Sequence, residues 1–398
     1  MDPRHVFISC SLFHMLALGM ICTGAYVPFM LKLGLELADI QRINIVFFLT
    51  IFFLEIPTGA LADGKSRRWS VTAGYLAWMF GMACYSQAQG FWSACLAESI
   101  NGIGVAFVSG AFDAWLRDSL NKRHQPDEYL PTKMYAQGAA SLGMIIGGTI
   151  GNLISAHDPR LAWICASGIM LITTLIARFG MDNSGEVHVN LRITPTEAVR
   201  QSVQALRSNP HLRWIALASM TYGLVLPFNH YWAPFFEARW SASRLDIIWL
   251  IMQGSLGIVA VTSRLGWWKN VPKLPAIAIS LMACGASLAL TGNANGILGP
   301  LFWTMIHEMA RGLYKPQLDD ALHLAVKSEW RATAGSLQST IQTLGWAGIL
   351  LGVSWGMAGK KATDTVIGNS WIISGSLLTI SGLFLYLTRP RLAMQPNT

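Results

Sequence analysis

The sequence predicts an all-α integral membrane protein, with twelve transmembrane helices arranged as two pseudo-symmetric six-helix bundles. Three observations carry this expectation. Charged residues make up only 13% of the chain, about half of the roughly 25% usual in soluble domains, and the deficit runs along most of its length. Apolar stretches such as 6–30, 43–62 and 70–87 reach the roughly 20 residues needed to cross a ~30 Å hydrocarbon core. Short motifs of the first half also recur, in order, in the second.

The expected spans are 6–30, 38–61, 69–88, 91–117, 132–155, 160–179, 211–236, 244–263, 274–291, 296–318, 331–355 and 367–388. Between the sixth and seventh lies a long polar stretch with Asp182, Glu186, Arg192, Glu197, Arg200 and Arg207. This places an N-terminal bundle over 1–180, a cytoplasmic linker over 181–210 and a C-terminal bundle over 211–398. With the N-terminus inside, 21 Lys and Arg fall on the inner face and 7 on the outer, with Arg311 left within a span. The positive-inside bias therefore sets both termini in the cytoplasm, which requires an even number of crossings. The first span lacks a cleavage site leading into a soluble domain and is expected to be retained. The cell inner membrane is the expected location.

The internal repeat is the strongest organisational signal. Gly24-Ala-Tyr-Val-Pro28-Phe29 matches Gly223-Leu-Val-Leu-Pro227-Phe228, and Asp39-Ile40 matches Asp246-Ile247. Gly59-x3-Asp63 matches Gly266-x3-Asn270, and Glu98-x3-Gly102 matches Glu308-x3-Gly312. The offsets stay between 199 and 210 residues. Parallel repeats of this kind put a transport path near the midplane between the halves.

Several classes fail on inspection. The net charge of +8 sits in alternate loops rather than in a stripe, and no zinc-finger spacing exists, so no nucleic-acid partner is expected. His307-Glu308-x2-Arg311 lacks the second His of a zinc-peptidase helix, and no Gly-x4-Gly-Lys-Ser/Thr segment offers a nucleotide site. Neither an enzyme, a cofactor nor a metal is expected. The six cysteines lie in or beside apolar spans and should be free thiols.

The most specific local motif is Gly59-Ala-Leu-Ala-Asp63-Gly64-Lys65-Ser66-Arg67-Arg68. It resembles the signature of the major facilitator superfamily, Gly-x3-Asp-Arg-x-Gly-Arg-Arg. Gly59, Asp63, Arg67 and Arg68 match; Gly64 and Ser66 depart from it. The resemblance implies a transporter in which Asp63 and Arg67 help clasp the cytoplasmic side. It also implies an acidic partner for Arg67 at the end of the fourth span, where Asp113, Arg117 and Asp118 stand. The plainer alternatives are a topogenic basic loop and a local pair of Asp113 with Arg117, four apart on one helix face. Gly138-x8-Gly147-x3-Gly151 resembles the family's antiporter glycines, with Asn152 where Pro is usual; close helix packing is the plainer reading.

Charges within spans are costly, roughly 2.5–3.5 kcal/mol on insertion scales, and tend to face cavities. Glu98, His307, Glu308 and Arg311 are the clearest candidates. A carboxylate withdrawn from water favours its neutral form, which suits proton coupling. Glu98 has no neighbour of opposite charge on its own helix and reads as functional. Glu308 can pair with Arg311 three residues on, which favours a structural lock. Glu55 reads as structural. Tyr26, Tyr222, Asn229, Gln253, Gln338 and Gln342 are candidate cavity residues. His230 and Trp232, near the outer end of the seventh span, read as interface anchors, and His14 as a packing residue. The sequence thus predicts a monomeric secondary transporter in the bilayer, using protons to export a small amphipathic compound. The alternatives are proton-coupled uptake of a small polar metabolite and a non-transporting receptor.

Overall fold

The computed structural model describes residues 3–17, 21–22, 24–64, 66–125, 128–182, 204, 206–240, 244–263, 271–325 and 331–390, and every regular element among them is helical. In chain order they are α1 (Pro3–Ala17), α2 (Tyr26–Lys32), α3 (Leu37–Gly64), α4 (Arg67–Ser86), α5 (Phe91–Asn121), α6 (Tyr129–His157) and α7 (Pro159–Gly180). Then follow α8 (Pro210–Thr221), a 3₁₀ turn (Tyr222–Val225), α9 (Leu226–Arg239) and α10 (Leu245–Ser263). The chain continues through α11 (Lys273–Asn293), α12 (Leu298–Ala325), α13 (Arg331–Met357) and α14 (Asp364–Thr388). Each helix falls on one of the twelve expected stretches. Among the described residues, six contain a segment long and apolar enough to cross a membrane: α3, α5, α6, α7, α11 and α14.

Local chemistry explains the boundaries. Asp158 caps α7 by accepting from the Arg160 N–H at 2.9 Å, with Pro159 at the first helical position. Asn209 does the same for α8, accepting from His211 N–H at 3.0 Å ahead of Pro210. Both are the expected pairing of an oxygen-bearing cap with a proline that has no N–H to lose.

The first and seventh stretches are not single helices. Turn residues separate α1 from α2, where the Ala25 and Tyr26 N–H groups both donate to the Cys22 carbonyl at 3.0 Å. The 3₁₀ turn separates α8 from α9. Pro28 is the third residue of α2 and Pro227 the second of α9. A proline in the first turn is tolerated, while one in the middle of a continuous helix breaks the ladder. The repeated Gly-x3-Pro-Phe motif thus interrupts both helices at equivalent points.

Contacts divide the chain into two compact units. The first holds Met1–Arg192, His230–Gln253 and Leu350–Val366; the second holds Ile193–Asn229, Gly254–Ile349 and Ile367–Thr398. In the first, α4 packs on α5 and α7, α3 on α5, and α1 on α6 and α7. Phe13 is central there, stacked on Tyr75 at 5.8 Å and edge-on to Phe112 at 5.5 Å. In the second, Leu212, Ile215, Leu274, Ile277, Leu281, Tyr314, Leu378 and Leu385 form one buried cluster.

The repeat is visible in packing inside each unit. A Cβ on Gly102 of α5 would lie 2.9 Å from Thr50 Cβ and 3.1 Å from the Phe47 carbonyl of α3. A Cβ on Gly312 of α12 would lie 3.1 Å from Leu256 and 3.2 Å from Val259 of α10. Each glycine therefore meets two positions three residues apart on its partner helix. The outer faces are apolar. On α7, Leu161, Ile164, Ile172 and Phe179 are exposed, and on α14 Ile373, Ile380, Phe384 and Leu387 are. Such continuous apolar surface is foreign to soluble monomers and fits a lipid contact.

Candidate functional site

The first unit holds a carboxylate among aromatic rings. Glu98 on α5 is buried, and its Oε2 accepts from the Tyr85 hydroxyl at 2.7 Å and from Asn101 Nδ2 at 3.1 Å. Tyr85 stacks on Trp163 of α7 at 4.4 Å, and Tyr26 stands edge-on to both, 6.1 Å from each ring centre. The Tyr26 hydroxyl accepts from Asn44 Nδ2 at 2.8 Å. Tyr26 begins α2, so the interruption of the first stretch delivers it to this cluster. Among the described residues no cation pairs with Glu98.

The second unit holds the repeat's counterpart. Glu308 is buried, and its Oε1 accepts from Arg311 Nη1 at 2.8 Å. Arg311 Nε donates to the Tyr222 hydroxyl at 3.1 Å, and Tyr222 stacks on Tyr314 at 4.4 Å. Tyr222 opens the 3₁₀ turn, so again the interrupted helix supplies the tyrosine. His307 Nδ1 donates to the Cys284 carbonyl at 3.0 Å, and its ring lies 4.6 Å from Phe228. One turn earlier in the seventh stretch, Gln338 Nε2 donates to Ser219 Oγ at 2.7 Å and to Gln342 Oε1 at 3.3 Å.

The start of α4, just after the loop that follows α3, is tied to α5. Arg67 pairs with Asp118 and donates to the Ala114 carbonyl at 2.8 Å. Asp118 is thus the residue that meets Arg67; Asp113 is half-buried and Arg117 exposed on the same helix. Arg68 donates to the Met181 carbonyl at 3.4 Å. The side chain of Asp63 lies outside the described residues. Gly59 has open space at its Cβ position. Next to this loop, Asp182 accepts from Trp115 Nε1 at 3.0 Å, Ser119 Oγ at 2.6 Å and Arg123 Nη2 at 2.5 Å. It fastens the end of α7 to the end of α5, a role the sequence reading missed by leaving Asp182 in the linker. Replacing Asp182 with Ala strands donors of buried Trp115 and Ser119 and of half-buried Arg123, at about 1–3 kcal/mol for each unsatisfied group. A loss of roughly 3 kcal/mol is expected, seen as a lower melting temperature of the purified protein. An unchanged melting curve would show the hub to be dispensable.

The model of the Major Facilitator Superfamily matches residues 7–350. The chain belongs to this superfamily. It is a multi-pass membrane transporter of that type rather than a member of an enzyme family. Solved structures agree on the fold. A nucleoside transporter, NupG, aligns with a TM-score of 0.81 at 14% identity, covering 97% of this chain and 99% of that one. The fucose:proton symporter FucP of E. coli aligns at 0.62 and 16% identity, covering 96% and 98%. A bacterial homolog of the human lysosomal transporter Spinster aligns at 0.74 and 14% identity, covering 97% of each chain. At such identities the likeness is one of fold. No curated protein sequence matches the chain.

Within this superfamily chain the remaining sequence-selected residues separate clearly. His230 and Trp232 are not interface anchors. Trp232 is buried against Trp249 at 5.5 Å between ring centres, and His230 Nδ1 lies 3.1 Å from Gln41 Oε1. Near them, Tyr231 donates to the Leu37 carbonyl at 2.8 Å, Trp249 Nε1 to that of Met144 at 2.7 Å, and Ser354 to that of Ala38 at 3.2 Å. Inside the first unit, segments from late in the chain are therefore tied to α3 and α6. Gln253 is buried, and among the described residues its Oε1 has no hydrogen-bond partner. Asn229 and Glu55 are half-buried, and the side chain of His14 lies outside the described residues. Of the antiporter-like glycines, Gly138 faces open space, while Gly151 sits directly on the Ile21 carbonyl; Gly151 is needed for that close approach. Among the described residues, no three His, Cys, Asp or Glu side chains are grouped to hold a metal ion.

Proposed function

We propose that the protein is a secondary active transporter that works by alternating access, with N-terminal and C-terminal bundles over 1–180 and 211–398 and a proton gradient as its drive. One observation carries this reading. In each repeat the tyrosine of an interrupted helix is brought to the intramembrane carboxylate region: Tyr26 reaches Glu98 through Tyr85, and Tyr222 binds Arg311 beside Glu308. Discontinuous helices beside buried charges are the usual construction of transporter substrate and ion sites. Glu98 is the proton site and Glu308–Arg311 a lock within the second unit. Arg67 with Asp118, in the motif that also carries Asp63, serves the cytoplasmic gate. The contacts of Tyr231, Trp249 and Ser354 are bonds that opening of the other side would break. Both termini are cytoplasmic, the membrane is the inner one, and the protein acts as a monomer.

The substrate is a small amphipathic compound with a planar face for Tyr26, Tyr85 and Trp163. Aromatic, carboxylate-bearing surroundings support export of such a compound by proton exchange. A second reading, uptake of a small polar metabolite with protons, is favoured by the buried amides Asn44, Asn101, Asn152 and Gln338. It gains weight because packing alone accounts for Gly151.

Thermal stabilisation of the purified protein against a panel of hydrophobic cations, nucleosides, sugars, amino acids and peptides, at two pH values, separates these readings. A compound at 100 times its Kd adds about 2.7 kcal/mol. Stabilisation by hydrophobic cations supports export, stabilisation by polar metabolites supports uptake, and silence across the panel favours a receptor without transport.

A further inference from the structure

The two intramembrane glutamates occupy equivalent positions of the repeat, yet the residue three places on differs. Glu98 is followed by Asn101 and Gly102, Glu308 by Arg311 and Gly312. Gly102 and Gly312, four residues after their glutamates, both pack closely on a neighbouring helix, which supports the correspondence. In the second unit, Arg311 completes a fixed ion pair. In the first, the groups facing Glu98 that can ionise are Tyr85 of α4, Tyr26 of α2, Cys22 of the turn before it and Cys95 of α5 itself. All are neutral acids, so nothing among the described residues compensates a negative charge.

The hydrogen bonds around Glu98 are also lopsided. Tyr85 and Asn101 Nδ2 both donate to Oε2, and Oε1 receives no bond among the described residues. Asn101 is buried, and its own Oδ1, packed against Gly81 of α4, accepts no hydrogen bond among the described residues. A buried acceptor left empty costs about 1–3 kcal/mol, and native proteins keep few. A primary amide has both a donor and an acceptor on one edge, as does a protonated carboxyl. The two can therefore exchange a pair of hydrogen bonds, amide N–H to one carboxyl oxygen and carboxyl O–H to the amide oxygen. The first of these bonds is present, and the acceptor for the second is vacant.

We propose that Asn101 is the positioning residue of the proton site: its Oδ1 accepts from a proton carried on Glu98 Oε1, while Nδ2 holds Oε2. Arg311 does the opposite for Glu308 and keeps it ionised as a lock. The identity of this one side chain assigns the exchangeable proton to the first repeat. The inference rests on the reading of Glu98 as the coupling site.

Dicyclohexylcarbodiimide tests it without a known substrate. A protonated carboxyl adds across a carbodiimide C=N bond; the carboxyl oxygen bonds to carbon, the proton passes to nitrogen, and rearrangement gives a stable N-acylurea with no leaving group. Mass spectrometry of the full-length protein treated at neutral pH is expected to find the reagent on Glu98 and not on Glu308. Asn101→Leu keeps the branching and size but removes the amide. It is expected to lower labelling of Glu98 roughly five-fold, the equivalent of one hydrogen bond. Arg311→Asn is expected to bring label to Glu308. Equal labelling of both glutamates in the unaltered protein, or unchanged Glu98 labelling in Asn101→Leu, overturns the proposal. Should Asn101→Leu fail to fold, the comparison of the two glutamates in the unaltered protein decides. Loss of coupling in Glu98→Gln together with amide-independent labelling removes Asn101 alone. Amide-dependent labelling with coupling intact in Glu98→Gln removes the coupling reading instead.

Discussion

Substitution of Arg311 by Met is expected to lower the stability of the protein by about 3–5 kcal/mol, the range found when one partner of a buried ion pair is removed. The side chain of Glu308 is 2% exposed and bonded to Arg311 at 2.8 Å, so the change leaves a carboxylate in apolar surroundings with no counter-ion. The Tyr222 hydroxyl loses its donor at the same time. Methionine keeps much of the volume, which confines the effect to charge and hydrogen bonding. The measurement is thermal unfolding in detergent, followed by tryptophan fluorescence. The double variant Glu308→Gln, Arg311→Met removes the stranded charge and is expected to recover most of the loss, because replacing both partners of a buried pair is often nearly neutral. The non-additivity of such a cycle reports the coupling directly. If Arg311→Met melts as the parent does, the pair is not a lock.

Much of this architecture is written in composition, because a helix that must satisfy its backbone inside lipid announces itself as a long apolar stretch. The helices α1 to α14 fall where such stretches were expected. What periodicity could not convey was continuity. The first and seventh stretches read as single spans, yet Pro28 and Pro227 interrupt them, and the repeated Gly-x3-Pro-Phe was the available signal. Depth and surroundings were harder still. His230 and Trp232 have the residue types of an aromatic belt, but lipid and protein neighbours are alike in hydropathy, and only packing places Trp232 against Trp249. Charge pairing was legible within one helix, as for Glu308 and Arg311. It was half legible between a loop and a helix end, as for Arg67 with two acidic candidates. It was invisible where the partners were neutral. Tyr85 and Asn101 carry no charge to draw notice, and their importance follows from the carboxylate they surround. Asp182 was lost for a related reason: a polar residue at the edge of a polar segment gives no sign that three donors converge on it.

Replacement of Glu98 by Gln is expected to abolish proton-driven transport while leaving expression and melting temperature intact. Glutamine has nearly the same shape, and its amide oxygen can still accept from Tyr85 and Asn101 in place of Oε2. Removal of an uncompensated buried carboxylate does not weaken the fold, since burying a charge is unfavourable unless it is paired. What glutamine cannot do is take up a proton on one side of the membrane and release it on the other. In proteoliposomes, accumulation driven by a pH gradient should fall to background, whereas equilibrium exchange of substrate across the membrane should persist, because exchange needs the conformational cycle but no net proton movement. Loss of both activities would assign Glu98 to substrate binding, and gradient-driven transport at the parent level would remove it from the coupling site. Tyr85→Phe sharpens the result. It deletes one donor to Oε2 but leaves the titratable group, so coupling should survive at an altered pH dependence. A variant that merely disturbed packing would lower transport at every pH alike.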